Sequence, residues 1–194
     1  MAQNLTDVPL SNLQLDEGAR PRAPEIAQGL PAISQAGRHL AAIHRHHLQE
    51  MAKARKVLRY IREGTAEPRA FFETLKAMNL NENMRVFGTL CGQECRMLDF
   101  HHNAEEFHLF PELEGKKIAG LSAVVAKLRA EHKIVHELLR RLTLAADKLA
   151  ADATPDNLES CALIFDKLEA TIRSHFSYEE TELKDALDHL IEQL

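Results

Sequence analysis

The sequence predicts an all-α protein: an up-down-up-down four-helix bundle with an irregular N-terminal arm at residues 1–33 and a short extra helix between helices 1 and 2. Three observations lead there. Apolar residues recur at three- and four-residue intervals along four long stretches, which is the period of one helix face. Aromatic residues make up 5% of the chain, Trp is missing, and Ala and Leu are abundant, a mix that suits helices better than sheets. No strand-like alternation and no glycine-rich phosphate loop occurs. At 194 residues the chain suits one domain, with the bundle expected over residues 34–194. Short links between long helices make neighbours antiparallel.

In chain order, residues 1–33 carry Pro9, Pro21, Pro24 and Pro31 among polar residues, so a flexible or surface-draped arm is expected. The alternative is an extended segment packed on the bundle through Leu10, Leu13 and Leu15. Ser34 is placed to cap a helix running to about Arg62 and stopped by Gly64. Its apolar stripe is Leu40, Ile43 or His44, His47, Met51, Ala54, Leu58 and Ile61, with His39 and His46 on the wet side. Pro68 opens a short helix to about Met78. Asn79 and Glu82 have the form of a capping box, and a second long helix follows to about Phe110, before Pro111. Its stripe is Met84, Phe87, Cys91, Cys95, Leu98, His101, Glu105 and Leu109. Gly115 and Gly120 mark a turn before a third helix over residues 121–151, with Leu121, Val125, Leu128, His132, Val135, Leu139, Leu142 and Leu149 inward. Thr154, Pro155 and Asp156 supply a cap, a first-position proline and an early negative charge for the fourth helix. Its stripe includes Leu158, Cys161, Phe165, Leu168, Ile172, His175, Glu179, Leu183, Ala186 and Leu190.

Several function classes recede on composition. A net charge of −5 leaves no overall electrostatic footprint for nucleic acid. No run of eighteen or more apolar residues predicts a membrane span. No charged start followed by an apolar stretch predicts a secretory signal, so the cytoplasm is the expected compartment. Cys91, Cys95 and Cys161 form no disulfide framework, and the first two lack zinc-ribbon spacing. They read as small core residues.

The chemistry sits in the histidines, eleven in all and clustered. The stretch HHNAEEFHLFPELE places His101 and Glu105 four residues apart, on one helix face. The spacing returns in His132 with His136 and in His175 with Glu179, and HLAAIHRHH adds His44 or His47 upstream. One histidine on an apolar stripe is usually a bonded core residue. Four stripes interrupted at one level are different, because burying imidazoles and carboxylates without partners costs roughly 2 kcal/mol or more for each group. A shared metal removes that cost. Five imidazoles (His44, His101, His132, His136, His175), two bridging carboxylates (Glu105, Glu179) and a bridging oxo or hydroxo group fill all but one position of two octahedral ions. The remaining position suits a small ligand such as dioxygen. His47 competes with His44, His102 (with Glu106) with His101, and Glu180 with Glu179. His108, in an ExxH spacing with Glu105, is placed outside the ligand set.

These residues resemble the hemerythrin family, and more narrowly the hemerythrin-like HHE cation-binding domains. HHNAEEFHLFPELE is similar to the family's H-x-x-x-E-E followed by an apolar pair and Pro. IHR, AEHKIVHELL and SHFSYEETEL are similar to its first-, third- and fourth-helix motifs. The resemblance covers roughly residues 34–190. It implies His44, His101, Glu105, His132, His136, His175 and Glu179 as ligands of two non-haem irons, with zinc or another divalent metal able to use the same donors. The expected function is binding of dioxygen or a related small ligand for sensing, storage or delivery. The rivals are a di-iron enzyme acting on peroxide, nitric oxide or oxygen, and a signalling or interaction domain with a structural metal. A protein partner would be met through the N-terminal arm.

Overall fold

The computed structural model describes residues 5–26, 31–78 and 97–192, and among these residues there are helices and no strand. The α-helices are α1 (Ala36–Arg62), α2 (Arg69–Met78), α3 (Met97–Ala104), α4 (Phe110–Gly115), α5 (Ala119–Ala151) and α6 (Pro155–Leu190), with a π-helical segment at Glu105–Leu109 and three 3-10 turns in the arm at Leu5–Asp7, Leu10–Asn12 and Glu17–Ala19. The proposed capping box at Asn79 and the stripe residues Met84, Phe87, Cys91 and Cys95 lie outside the described residues.

Helix ends follow local chemistry. Ser34 Oγ accepts from Ala36 N at 3.2 Å at the start of α1. Gly64 ends it with φ +70°, a conformation that costs glycine nothing. Thr154 Oγ1 accepts from Asn157 N at 3.3 Å, and Pro155 follows in the first turn of α6, where its missing N–H is no loss. One expectation is corrected. The helix does not stop before Pro111 but runs on to Gly115. Proline cannot donate to the preceding turn and crowds its carbonyl. Here that turn has widened: Phe110 N bonds Glu105 O, five residues back, instead of four.

α6 packs against α1 and α5, and α2 against α5 and α1. The core divides into two apolar clusters. One holds Met51, Leu58, Phe71, Val135, Leu142, Leu149, Phe165 and Ile172. The other holds Leu40, Leu109, Phe110, Leu113, Leu121, Leu128, Leu183 and Leu187. A residue from the second cluster comes first along α1 and α5 and last along α6. On α1 and α5 the buried histidines, His44 and His47 and then His132, fall between the clusters, and on α6 His175 stands at the end of the first cluster, beside Phe176. The fold therefore seals a polar layer between two apolar ones.

Residues 5–26 run along the helices. Leu13 is 1% exposed and packs into the first cluster. Arg141 donates to the carbonyls of Leu5, Thr6 and Val8, Tyr178 Oη donates to Pro21 O at 2.9 Å, and Ala23 N donates to Glu182 Oε2 at 2.7 Å. Pro24 rides over Gly120, where a Cβ would meet its Cδ at 2.9 Å, so glycine permits the close approach. Among the described residues no helix is long and apolar enough to cross a membrane.

Candidate metal centre

Two donor groups meet in the polar layer. His44, His101, Glu105 and Glu179 form one, and His102, His132 and His175 form the other; within each, one donor atom per residue lies within 4.8 Å of all the rest. The two carboxylates tie the groups together. Glu105 Oε1 is 3.1 Å from His101 Nε2, and its Oε2 is 3.4 Å from His132 Nε2. Glu179 Oε2 is 3.5 Å from His44 Nε2 and 3.7 Å from His175 Nε2.

The imidazoles are held from behind. His44 Nδ1 bonds Glu180 Oε1 at 2.9 Å, His132 Nδ1 bonds Glu106 Oε1 at 2.9 Å, and His175 Nδ1 bonds Glu131 Oε2 at 3.1 Å. An ionised carboxylate only accepts, so Nδ1 carries the proton and Nε2 turns its lone pair inward. Arg129 holds Glu106, and Arg20 holds Glu131. His102 Nδ1 bonds His136 Nε2 at 2.9 Å. Aromatic rings wall the centre: Phe176 stacks on His44 at 3.8 Å between centroids, and Phe110 lies 5.5 Å from His132.

Burial governs the charges. It holds His101 and His102 well below the ordinary histidine range, helped by neighbouring imidazoles, and takes His132 down to about 4 against the bond from Glu106. Burial and Glu179 push the Glu105 carboxyl well up, and burial raises Glu179 to about 8. The outer carboxylates go the other way. The bond from His132 lowers Glu106; for Glu131, burial pushes upward but the bonds from His175 and Arg20 outweigh it. The layer is thus neutral imidazoles around two reluctant acids: His44 Nε2 and His101 Nε2 share a hydrogen bond at 3.0 Å, while Nε2 of His102, His132 and His175 has no partner among the described residues.

Among the described residues, His102 Nε2, His132 Nε2, His175 Nε2 and both oxygens of Glu105 and Glu179 are buried without a hydrogen-bond partner. Each such atom costs about 1–3 kcal/mol in an apolar interior. Divalent cations between them would supply every missing partner, and imidazole nitrogen with carboxylate oxygen is a donor set that suits iron or zinc. The residues fit a metal centre.

A family model described as the hemerythrin HHE cation binding domain matches residues 90–187, just over half of the 194-residue chain. The chain belongs to this family. No curated protein and no solved structure matched the chain. The hemerythrin HHE match spans every residue of the two donor groups except His44, which α1 brings in from upstream.

Of the seven residues expected as ligands, six converge: His44, His101, Glu105, His132, His175 and Glu179. The seventh, His136, is half-buried and stands one hydrogen bond back, behind His102. His102 competes with His101 in the sequence, yet both point inward, His101 toward His44 and His102 toward His132, with ring centroids 4.9 and 4.0 Å apart. Glu106 and Glu180, the alternatives to Glu105 and Glu179, hold imidazoles from outside instead. His47 is buried with its ring 5.0 Å from that of His101, beside the group and not in it, and burial takes it down to about 3. His108 is exposed.

A pH prediction follows for the metal-free chain. His132 is lowered to about 4, so its contribution to stability is present above about 6.5 and lost as pH falls through about 4. Glu179 is raised to about 8, so its contribution is present below about 4.5 and lost as pH rises through about 8. The thermal midpoint of the metal-free chain should peak between these limits and fall on both sides. Bound metal should remove the alkaline fall, because it pairs the carboxylates, and steepen the acid one, because protons compete for the same atoms. Melting curves with and without metal across pH check this; a flat metal-free profile contradicts it.

Proposed function

We propose that the chain is a non-haem di-iron protein that binds dioxygen or a related small ligand, for sensing, storage or delivery. One observation carries the reading: two donor groups side by side, each approached by the same two buried carboxylates. In this reading His44 and His101 hold one iron, His102, His132 and His175 hold the other, and Glu105 and Glu179 serve both. The irons would supply reversible one-electron chemistry toward a diatomic ligand. The surrounding scaffold is read as an up-down-up-down four-helix bundle over residues 34–194 carrying an arm at residues 1–33. The reversed order of the apolar clusters along α6 supports it.

Binding is favoured over turnover because the acids are committed. Glu105 and Glu179 lie between the donor groups, while Glu106, Glu131 and Glu180 each hold an imidazole. None of these five carboxylates is left to shuttle protons for a substrate. An enzyme acting on peroxide, nitric oxide or oxygen is the second reading. It draws on a groove of about 550 Å³ between α1 and α6, lined by Arg45, Phe176, Glu180 and Lys184 among others, which brings solvent to the side chains behind His44.

The test is to load the full chain with ferrous iron without air and count the metal. Two irons per chain are expected, with a visible absorption that appears on exposure to dioxygen and disappears on its removal over repeated cycles. Full iron occupancy with a featureless spectrum sinks the binding reading. Many turnovers of peroxide or nitric oxide per chain favour the enzyme.

A further inference from the structure

Arg20 reaches the metal centre from the N-terminal arm. Its Nε and Nη2 donate to Glu131 Oε1 and Oε2 at 2.9 and 3.0 Å, a two-point grip on a carboxylate that is 1% exposed. Its Nη1 donates to Ser174 Oγ at 3.0 Å, and its guanidinium lies over the Tyr178 ring at 4.6 Å. Glu131 Oε2 in turn accepts from His175 Nδ1. The same relay serves His132, whose outer carboxylate Glu106 is gripped by Arg129. The difference is where the arginine comes from. Arg129 belongs to α5, the helix that carries His132, whereas Arg20 comes from the N-terminal arm, just after a 3-10 turn at Glu17–Ala19 and outside the helices that carry the donor residues.

Resting on the two-cation reading above, we infer that Arg20 is a positioning residue for the His102, His132 and His175 cation, and that docking of the arm and binding of that cation are linked. A guanidinium has five donors and no acceptor, so its fork fixes both oxygens of Glu131. Those oxygens fix the direction of His175 Nδ1, and so the line along which Nε2 faces the cation. Take the fork away, and a buried carboxylate keeps one partner fewer while the ring loses its brace. Linkage is reciprocal: if the docked arm strengthens cation binding, the bound cation must strengthen docking by the same factor. The other arm contacts to the bundle, such as Arg22 with Glu182 at 2.8 Å, hold the arm without reaching an imidazole.

The experiment uses the full chain and cobalt(II), whose visible absorption reports its ligands. Wild type should take up two ions, and bound cobalt should slow cleavage of the arm by subtilisin. R20Q should bind one of the two ions about tenfold less tightly and leave the other unchanged, the size expected for an outer-sphere partner, with an altered absorption. R20K, which keeps the charge and loses the fork, should recover only part. R22Q should match wild type in affinity and absorption, which separates a loosened arm from a lost relay. Two ions bound with wild-type affinity and absorption by R20Q overturn this inference and leave the metal reading intact. The proteolysis measurement needs no variant: cobalt uptake without protection of the arm also overturns the linkage. A wild-type chain that takes up no cation overturns both.

Discussion

Glu105→Gln is expected to move two measurements in opposite directions. Glu105 is 3% exposed, and neither oxygen has a hydrogen-bond partner among the described residues. Without metal, the fold carries a carboxyl whose ionisation burial opposes. The isosteric amide removes that penalty, so the metal-free variant should melt higher than the metal-free wild type, by the equivalent of about 1–3 kcal/mol. With metal the order reverses. Glu105 stands 3.1 Å from His101 Nε2 and 3.4 Å from His132 Nε2, so one substitution removes an anion from both donor groups. Loss of an outer-sphere partner costs about 10–100-fold in affinity; loss of this inner group should exceed about 100-fold. Stabilisation by metal then falls by about 2.7 kcal/mol for each hundredfold. Paired melting curves with and without iron decide the matter. A variant that is less stable without metal, and still stabilised by metal as wild type is, would make Glu105 a structural residue and not a ligand.

Helix ends are local events. Gly64, Ser34 and the Thr154–Pro155 pair act through their own backbone and hydroxyl chemistry, and each sits where the local rules put it. The inward pairs at four-residue spacing are local too, since one helix turn sets both members on one face. What escapes is what depends on a departure from the regular period or on a distant residue. A strict helical repeat forces a choice between His101 and His102, whereas a two-group centre receives both, because His101 meets His44 of α1 and His102 meets His132 of α5. Pro111 reads as a stop signal only if the preceding turn is α-helical; the π-helical segment at Glu105–Leu109 removes that condition. The grip of Arg20 on Glu131 joins positions 111 residues apart and leaves no periodic trace. The proline-spaced arm has no helical period, so the sequence leaves it either loosely draped or packed through Leu10, Leu13 and Leu15; Leu13 does pack into the first cluster, while the polar contacts of Arg20 and Tyr178 leave no local signal.

The adjacent histidines carry the second large effect. His102→Leu should leave the chain with one bound cation in place of two. His102 is fully buried, its Nε2 has no hydrogen-bond partner among the described residues, and it completes the group with His132 and His175. Leucine removes the donor without opening a cavity, and the remaining ion stays with His44, His101, Glu105 and Glu179. His136→Leu should keep both cations with an affinity weaker by about tenfold, because His136 braces His102 Nδ1 from 2.9 Å and donates no atom to the group. Metal counting on the two purified variants separates the roles. The reverse outcome, two cations in His102→Leu and one in His136→Leu, would mean that loading the centre brings His136 Nε2 inward past His102. The pair of variants therefore tests which of two hydrogen-bonded imidazoles the cation selects.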